Sequence, residues 1–467
     1  MAHRNIYLRI ALTLIPVCFL SVSCNRNNQE DYPELRKAIS EMHIIDTHEH
    51  FGPESERSAQ PLDFFSLAIG YLQADMVSSG MSDAELAFML DNKNPSDERW
   101  KIFNTYWSNV NNTGYGKCFS ATVSDLFGIT TLNERAFAVA DSSMKASNTQ
   151  EGWYKYILKD KSRIDVSIID PLGKNAENVT DYPADYFVRV RRFDNFVRVN
   201  RNFISGLEDR YSMKIKSLSD YLTALDMAFE RGINEGIIGI KSGLAYSRIL
   251  YFEDVSREKA EILFAKFMQP DKNLNAVEKK SIDDFMMHQV AERAEKYDLP
   301  FQIHTGILSR NFNNSNPIEN TNAIHLSNLF LKYRKLKFVI FHGSYPYMAE
   351  LSYLAKHYPN VYIDMCWMYI ISPLASKTYL EEWLLTVPSN KIMGFGGDVT
   401  VEWAIGHASM AREIINEVLV KMIKEGNFSE EEAIEIAKKL LRENALNLYK
   451  LENVDGKWRK RHHISIL

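Results

Sequence analysis

The sequence predicts a (β/α)8 barrel, an α/β fold in which eight parallel strands open onto one pocket. Three observations predict it. Apolar runs of strand length recur along the chain, and helical patterns lie between most of them. Five of these runs end in side chains able to bind a metal: His48 and His50 together, then Lys241, His304, His342 and Asp398. Alternating βα units imply a parallel sheet, and a right-handed series of eight closes on itself. Functional groups of such a barrel sit at the C-terminal ends of different strands, so residues spread over about 350 positions would meet.

The elements follow in order. In the first 24 residues, His3, Arg4 and Arg9 precede an apolar stretch from Ile10 to Val22. It is too short to span a bilayer and reads as a secretory signal. The segment ends Leu20-Ser-Val-Ser-Cys24, with a polar tether over 25–40, Asn-rich as far as Asp31. It resembles a bacterial lipoprotein signal, which implies a lipid on Cys24 and a place in the cell envelope facing the periplasm or the cell surface. A secreted protein cut nearby is the other reading.

The catalytic domain is expected over 41–467. Its strands are read near His43–His50, Ile164–Ile169, Tyr186–Arg192, Gly236–Lys241, Pro300–His304, Phe338–His342, Val361–Asp364 and Ile392–Gly396. Helical patterns cover Ser219–Arg231, Ile282–Tyr297, Tyr347–His357 and Lys377–Leu385. Between the first two strands, about 52–161 is too long to be structureless in a compact domain. It reads as a mostly helical insertion and a candidate lid. Two helices, Trp403–Glu425 and Glu430–Leu451, close the fold, the second opened by a Ser429/Glu432 capping box.

Composition sets outer limits. With 45% hydrophobic and 25% charged residues and a net charge of −5, nothing points to nucleic acid. The basic tail from Lys457 to His463 reads as a solvated terminus. Of four cysteines, Cys18 and Cys24 fall in the signal, leaving Cys118 and Cys366 without a disulfide framework. Cys366 lies just past a predicted strand and could line the pocket, but the reading preferred is a small buried hydrophobe.

His-x-His at the end of a strand is metal-ligand geometry, because residues i and i+2 share a face with Cα atoms roughly 6.5–7 Å apart. Chance supplies about 0.3 such patterns in a chain with this histidine content, so the later strand ends carry the argument. His48, His50 and Asp398 offer three ligands and an open position, the arrangement of a catalytic zinc site. His304 and His342 would hold a second ion or orient a substrate carbonyl. Asp398 would accept the proton of the attacking water, and Asp46 would support the first ligand. Arg248 and Tyr246 after the fourth strand, or Arg189, Arg191 and Arg192 near the third, are candidates to clamp a substrate carboxylate. His43, His288, His325, His357 and His407 fall in helices or away from strand ends and are not read as ligands.

The ordered set His48, His50, Lys241, His304, His342 and Asp398 resembles that of the amidohydrolase superfamily. Within it, the chain is similar to the amidohydrolase-related group, with distant similarity to uronate isomerase and to metal-dependent decarboxylases. The resemblance implies hydrolysis of a C–N or C–O bond in a small carboxylated or polyhydroxylated substrate by metal-activated water. Zinc is the first choice of metal and manganese the second, as one or two ions, with Asp398, His304 and Lys241 catalytic. In some relatives the lysine is carboxylated and bridges two metals; in others no bridge exists. Rival readings are a decarboxylase, a uronate-isomerase-like enzyme, and a surface lipoprotein that keeps the barrel only to bind a ligand. The expected partners are a small molecule and a membrane reached only through the lipid, with self-association left open.

Overall fold

The computed structural model describes residues 32–68, 70–173, 182–309, 316–461. The signal, Cys24 and the tether through Asp31 lie outside the described residues. Among the described residues no helix is long and apolar enough to cross a membrane.

Eight parallel strands form one sheet in sequence order. They are β1 (Ile44–Glu49), β2 (Ile164–Ile169), β3 (Phe187–Arg192), β4 (Gly239–Ser242), β5 (Phe301–Ile303), β6 (Phe338–Ile340), β7 (Val361–Asp364) and β8 (Ile392–Met393). The first and last edges meet, with Thr47 N–H donating to Phe395 O at 3.2 Å and Asp398 N–H to His48 O at 2.9 Å. The expected (β/α)8 barrel is what the chain forms. Only Ile392 and Met393 count as regular strand in β8, because the glycine-rich segment after them hydrogen-bonds irregularly, Gly394 to Leu440 O and Gly397 to the Asp46 carboxylate.

The insertion is helical as expected, with helices including Phe64–Ala68, Leu72–Ser78, Ser96–Val110, Gly114–Phe127 and Glu134–Ser147. It has an aromatic core of its own. Phe64 packs edge-on to Phe103 at 5.1 Å and Phe137 at 5.1 Å, and Trp100 stacks on Phe137 at 4.7 Å. Buried links join it to the barrel. Arg57 pairs with Glu402 at 2.7 Å, and Trp403 Nε1 donates to Leu67 O at 2.8 Å.

Two expectations at the ends are corrected. Pro33–Glu41, all but its last residue assigned to the tether, is a helix that buries Leu35 and Ile39. The basic tail is not simply solvated: Lys457–Lys460 (β10) pairs antiparallel with Leu451–Val454 (β9), buries Trp458, and brings Lys460 Nζ to Asp298 O at 2.8 Å. Alternation between Trp458 and its charged neighbours supplies the reason, since one face of a short ribbon can pack while the other stays wet. The helix Trp403–Lys424 is as read, and Ser429 and Glu432 do form a capping box, but the second helix loosens into a π turn at Lys439–Glu443.

Candidate metal centre

β1 is buried along its whole length with His48 on it, and His50, just past its end, is half-buried at the mouth. The chain turns left-handed just past β6, β7 and β8, with positive φ at His342 (60°), Trp367 (66°) and Asp398 (53°). Such backbone is sparsely populated for residues with a side chain and gathers at functional sites. Here it swings three strand-end side chains into one space. Asp46, buried at the barrel axis, accepts the backbone N–H of His48 at 3.3 Å and of Gly397 at 2.9 Å. It was expected to support the ring of the first ligand; instead it ties together the backbones that carry His48 and Asp398. Burial pushes its carboxyl up to about 7 against those hydrogen bonds.

The ring protons can be located. His50 Nδ1 lies 2.7 Å from Asp170 O, His342 Nδ1 3.1 Å from Cys366 O, and His304 Nε2 2.8 Å from Ile307 O. A carbonyl oxygen only accepts, so each of these nitrogens carries the hydrogen. Burial drives His342 down to about 4 and His304 well below the usual imidazole range, which keeps both rings neutral. The other nitrogens are therefore bare lone pairs. His342 Nε2 faces His304 Nδ1 at 3.0 Å, a repulsive contact without a cation. Two nitrogens about 2.1 Å from one ion at 90–109° stand about 3.0–3.4 Å apart, so this spacing fits ligation. His48 Nε2 and His50 Nε2, at 3.2 Å, fit equally well.

Asp398 lies between the two pairs. One oxygen is 3.7 Å from His50 Nε2 and the other 3.9 Å from His342 Nε2, both too long for hydrogen bonds. Two sets of donor atoms lie within 4.8 Å of one another: His48, His50 and Asp398, and His342, Cys366 and Asp398. Converging lone pairs are what a divalent cation requires, and the opposite ring nitrogens of His50, His304 and His342 are already committed to carbonyls, while His48 Nδ1 is buried without a hydrogen-bond partner among the described residues. The donor set fits the implied metal.

Lys241, at the end of β4, is 1% exposed, and its ammonium sits 3.5 Å over the Phe341 ring with no hydrogen-bond partner among the described residues. Burial pulls it down to about 8, with Asp170 opposing. Arg192 grips Asp170 through Nε at 2.9 Å and Nη2 at 2.6 Å. The Tyr246 ring centre lies 4.5 Å from that of His304, and its hydroxyl donates to Ser309 Oγ at 3.0 Å. These three line the centre.

Two expected substrate ligands are engaged elsewhere. Arg191 points out of the barrel to Glu235 at 3.2 Å, where Arg189 also reaches the same carboxylate at 3.9 Å. Arg248 is ion-paired with fully buried Asp284 and donates to Tyr251 O at 3.2 Å. Arg248 gives its charge to a buried acid and Arg191 to the half-buried Glu235, which leaves little for a substrate.

Sequence reasoning passed over several residues at the mouth. Asp170 ends the apolar run of β2, the same signal that singled out the other strand ends. Although burial raises its carboxyl, Arg192 and His50 bring it below the usual range. Glu49, between the two histidines, is fully buried and accepts from Val399 N–H at 2.9 Å. Tyr71 and Tyr115 of the insertion stack with Trp367 (Tyr71 to Trp367, 4.4 Å), which is edge-on to His342 at 5.2 Å. No local pattern marks these aromatics. The insertion thus reaches the centre through its own side chains. Cys118 and Cys366 are both free and buried.

A family profile described as amidohydrolase matches residues 268–451. Protein fluG of Emericella nidulans is 29% identical over 226 residues, 46% of this chain and 26% of its own length. The uronate isomerase of Thermotoga maritima is 22% identical over 263 residues, 51% of this chain and 55% of its own. The chain therefore spans about a quarter of one curated relative and about half of the other. In structure, the uronate isomerase of Thermotoga maritima superposes with a TM-score of 0.74 over 90% of this chain and 97% of its own, at 17% identity. The glucuronate isomerase of Caulobacter crescentus does so with a TM-score of 0.74 over 92% and 95%, at 19% identity. The structural likenesses establish the barrel. The profile match upholds the resemblance to the amidohydrolase superfamily, and the curated alignment the distant similarity to uronate isomerase.

Proposed function

On an amidohydrolase-type barrel, we propose that this chain is a metal-dependent hydrolase that cleaves a C–N or C–O bond, in an amide, lactone or ester, of a small anionic substrate. The observation that carries the reading is the pair of unprotonated nitrogens, His342 Nε2 and His304 Nδ1, facing each other at 3.0 Å beside the Asp398 carboxylate. The metal, as one or two ions, would be held by His48, His50, His304, His342 and Asp398, with zinc preferred and manganese the alternative. When bound, it supplies Lewis acidity, polarising a carbonyl and making water more acidic.

The remaining work belongs to the chain. Asp398 has a second oxygen free to take the proton of the attacking water and pass it to the leaving group. The Tyr246 ring, 4.5 Å from that of His304, would flank the scissile carbonyl. Without a carboxyl group on it, Lys241 puts positive charge on one side of the mouth, where Arg192 is already paired with Asp170, and this favours a carboxylate-bearing substrate. Its lowered pKa makes Lys241 able to carry a carboxyl group in the way a bridging lysine does. The Tyr71, Tyr115 and Trp367 stack walls the site from solvent and strengthens its electrostatics.

A second reading, isomerisation of a hexuronate, draws support from the curated uronate isomerase that aligns over half of the chain. One screen separates the two. The metal-loaded protein is incubated with N-acyl amino acids, lactones and hexuronates, in acidic and neutral versions, and products are weighed by mass spectrometry. Hydrolysis adds one water, isomerisation leaves the mass unchanged, and decarboxylation loses CO2. Turnover confined to hexuronates at unchanged mass would overturn the hydrolase reading.

A further inference from the structure

We propose that Cys366 is a metal ligand, its sulfur completing the half of the centre held by His342 and Asp398. The inference rests on the metal-dependent reading above and extends it to a donor that changes which ion the centre prefers.

Four observations carry it. Cys366 is fully buried and unpaired, and its sulfur lies within 4.8 Å of a ligand atom of both His342 and Asp398. The His342 lone pair that faces this space is fixed there by Cys366 itself, whose carbonyl accepts the Nδ1 hydrogen at 3.1 Å. Its own N–H donates to Asp364 Oδ1 at 2.9 Å, and the Asp364 carboxylate also receives the Thr47 hydroxyl at 3.0 Å, so the residue is pinned from both sides. Gly396 leaves it room: a Cβ there would stand 2.7 Å from Cys366 Cβ. The strand end after β7 thus contributes to the centre as those after β1, β6 and β8 do.

Asp398 turns one oxygen to His50 and the other to His342. The oxygen on the His342 side would join His342 and Cys366 in holding an ion. One imidazole nitrogen, one carboxylate oxygen and one sulfur form a three-donor set with a position left open, suited to zinc, with Zn–S about 2.3 Å. Binding forms the sulfur–metal bond as the thiol proton leaves to solvent, so electrons and charge balance without an oxidant. A soft donor favours zinc over manganese, which prefers oxygen.

The test uses the full chain, stripped of metal and titrated with Co²⁺ in place of zinc. Wild type and Cys118→Ser should show thiolate-to-Co²⁺ absorption in the near ultraviolet, and Cys366→Ser should lack it. Loss of the sulfur should weaken zinc binding on the order of 10–100-fold and manganese binding far less. X-ray absorption of zinc-loaded wild type needs no variant and should contain a sulfur shell at about 2.3 Å. Cobalt uptake with ligand-field bands but no charge-transfer band, or a zinc shell of nitrogen and oxygen alone, overturns the cysteine ligand while the metal centre stands. No uptake of cobalt or zinc by wild type overturns both.

Discussion

Gly406→Ala isolates what holds the insertion against the barrel. Gly406 lies in the helix Trp403–Lys424, where alanine is the better helix former by about 1 kcal/mol. Sequence logic alone therefore predicts a gain. A Cβ at that position would instead sit 2.4 Å from Cys118 O, 2.5 Å from Thr122 Oγ1 and 2.9 Å from Thr122 N. Two of these atoms are backbone of the helix Gly114–Phe127 and cannot swing aside. Ordinary contact begins near about 3.5 Å, so the helices must part by roughly 1 Å. Overpacking costs about 1–3 kcal/mol, and a backbone obstacle places this case near 3, leaving a net loss of about 2 kcal/mol. Gly206→Ala is the control, since that helical position has nothing within 4 Å of a new Cβ and should gain up to about 1 kcal/mol. Urea unfolding of the metal-free proteins measures both. Tyr115 rides on the displaced helix and stacks toward Trp367, so turnover by Gly406→Ala should fall as well. A Gly406→Ala protein as stable as wild type would refute the close-packed insertion.

Elemental analysis should find one to two equivalents of transition metal in wild type and markedly less in the His48→Ala/His50→Ala pair; equal, negligible metal in both removes the site. Asp398→Asn keeps one ligand oxygen but loses the basic one, so kcat should drop about 10²–10⁴-fold with a smaller change in metal content, and near-normal turnover would leave Asp398 a ligand only. His407 is wholly buried, and burial holds its imidazole down to about 3. The unfolded chain binds that proton below about pH 6.5 while the fold does not, so stability is lost as pH falls through that window, by about 2 kcal/mol at pH 5. His407→Gln should flatten that acid slope; an unchanged slope assigns it to other groups. Mass spectrometry of the mature N-terminus from its native host should find lipid on Cys24, and a free terminus cut elsewhere would make this an ordinary secreted protein.

The barrel was legible because its signals are local. A strand-length apolar run between turn residues, and a helical period between such runs, depend on neighbours a few positions apart. His48 and His50 were legible for the same reason, as their shared face follows from a period of two. Lys241, His304, His342 and Asp398 could be read because each terminates such a run, and the same rule applied to Ile164–Ile169 reaches Asp170. Cys366 stands just past the strand read at Val361–Asp364, whereas Tyr71 and Tyr115 carry no periodic mark and only long-range packing brings them to the centre.

Β3 defines the boundary between the two kinds of information. Phe187–Arg192 is buried on both faces, so no alternation of polar and apolar residues fixes which side chains point inward. Its arginines were equal candidates in sequence. The helix Leu218–Asn234 behind the strand, with Glu235 at its end, takes Arg189 and Arg191 outward, and Asp170 on the neighbouring strand draws Arg192 to the mouth. The sequence by itself determined a barrel with metal-binding side chains at its strand ends, because those depend on short-range periodicity. Which charges face the substrate was decided by tertiary structure, because a buried cation goes where a carboxylate compensates its desolvation, and those carboxylates come from distant parts of the chain.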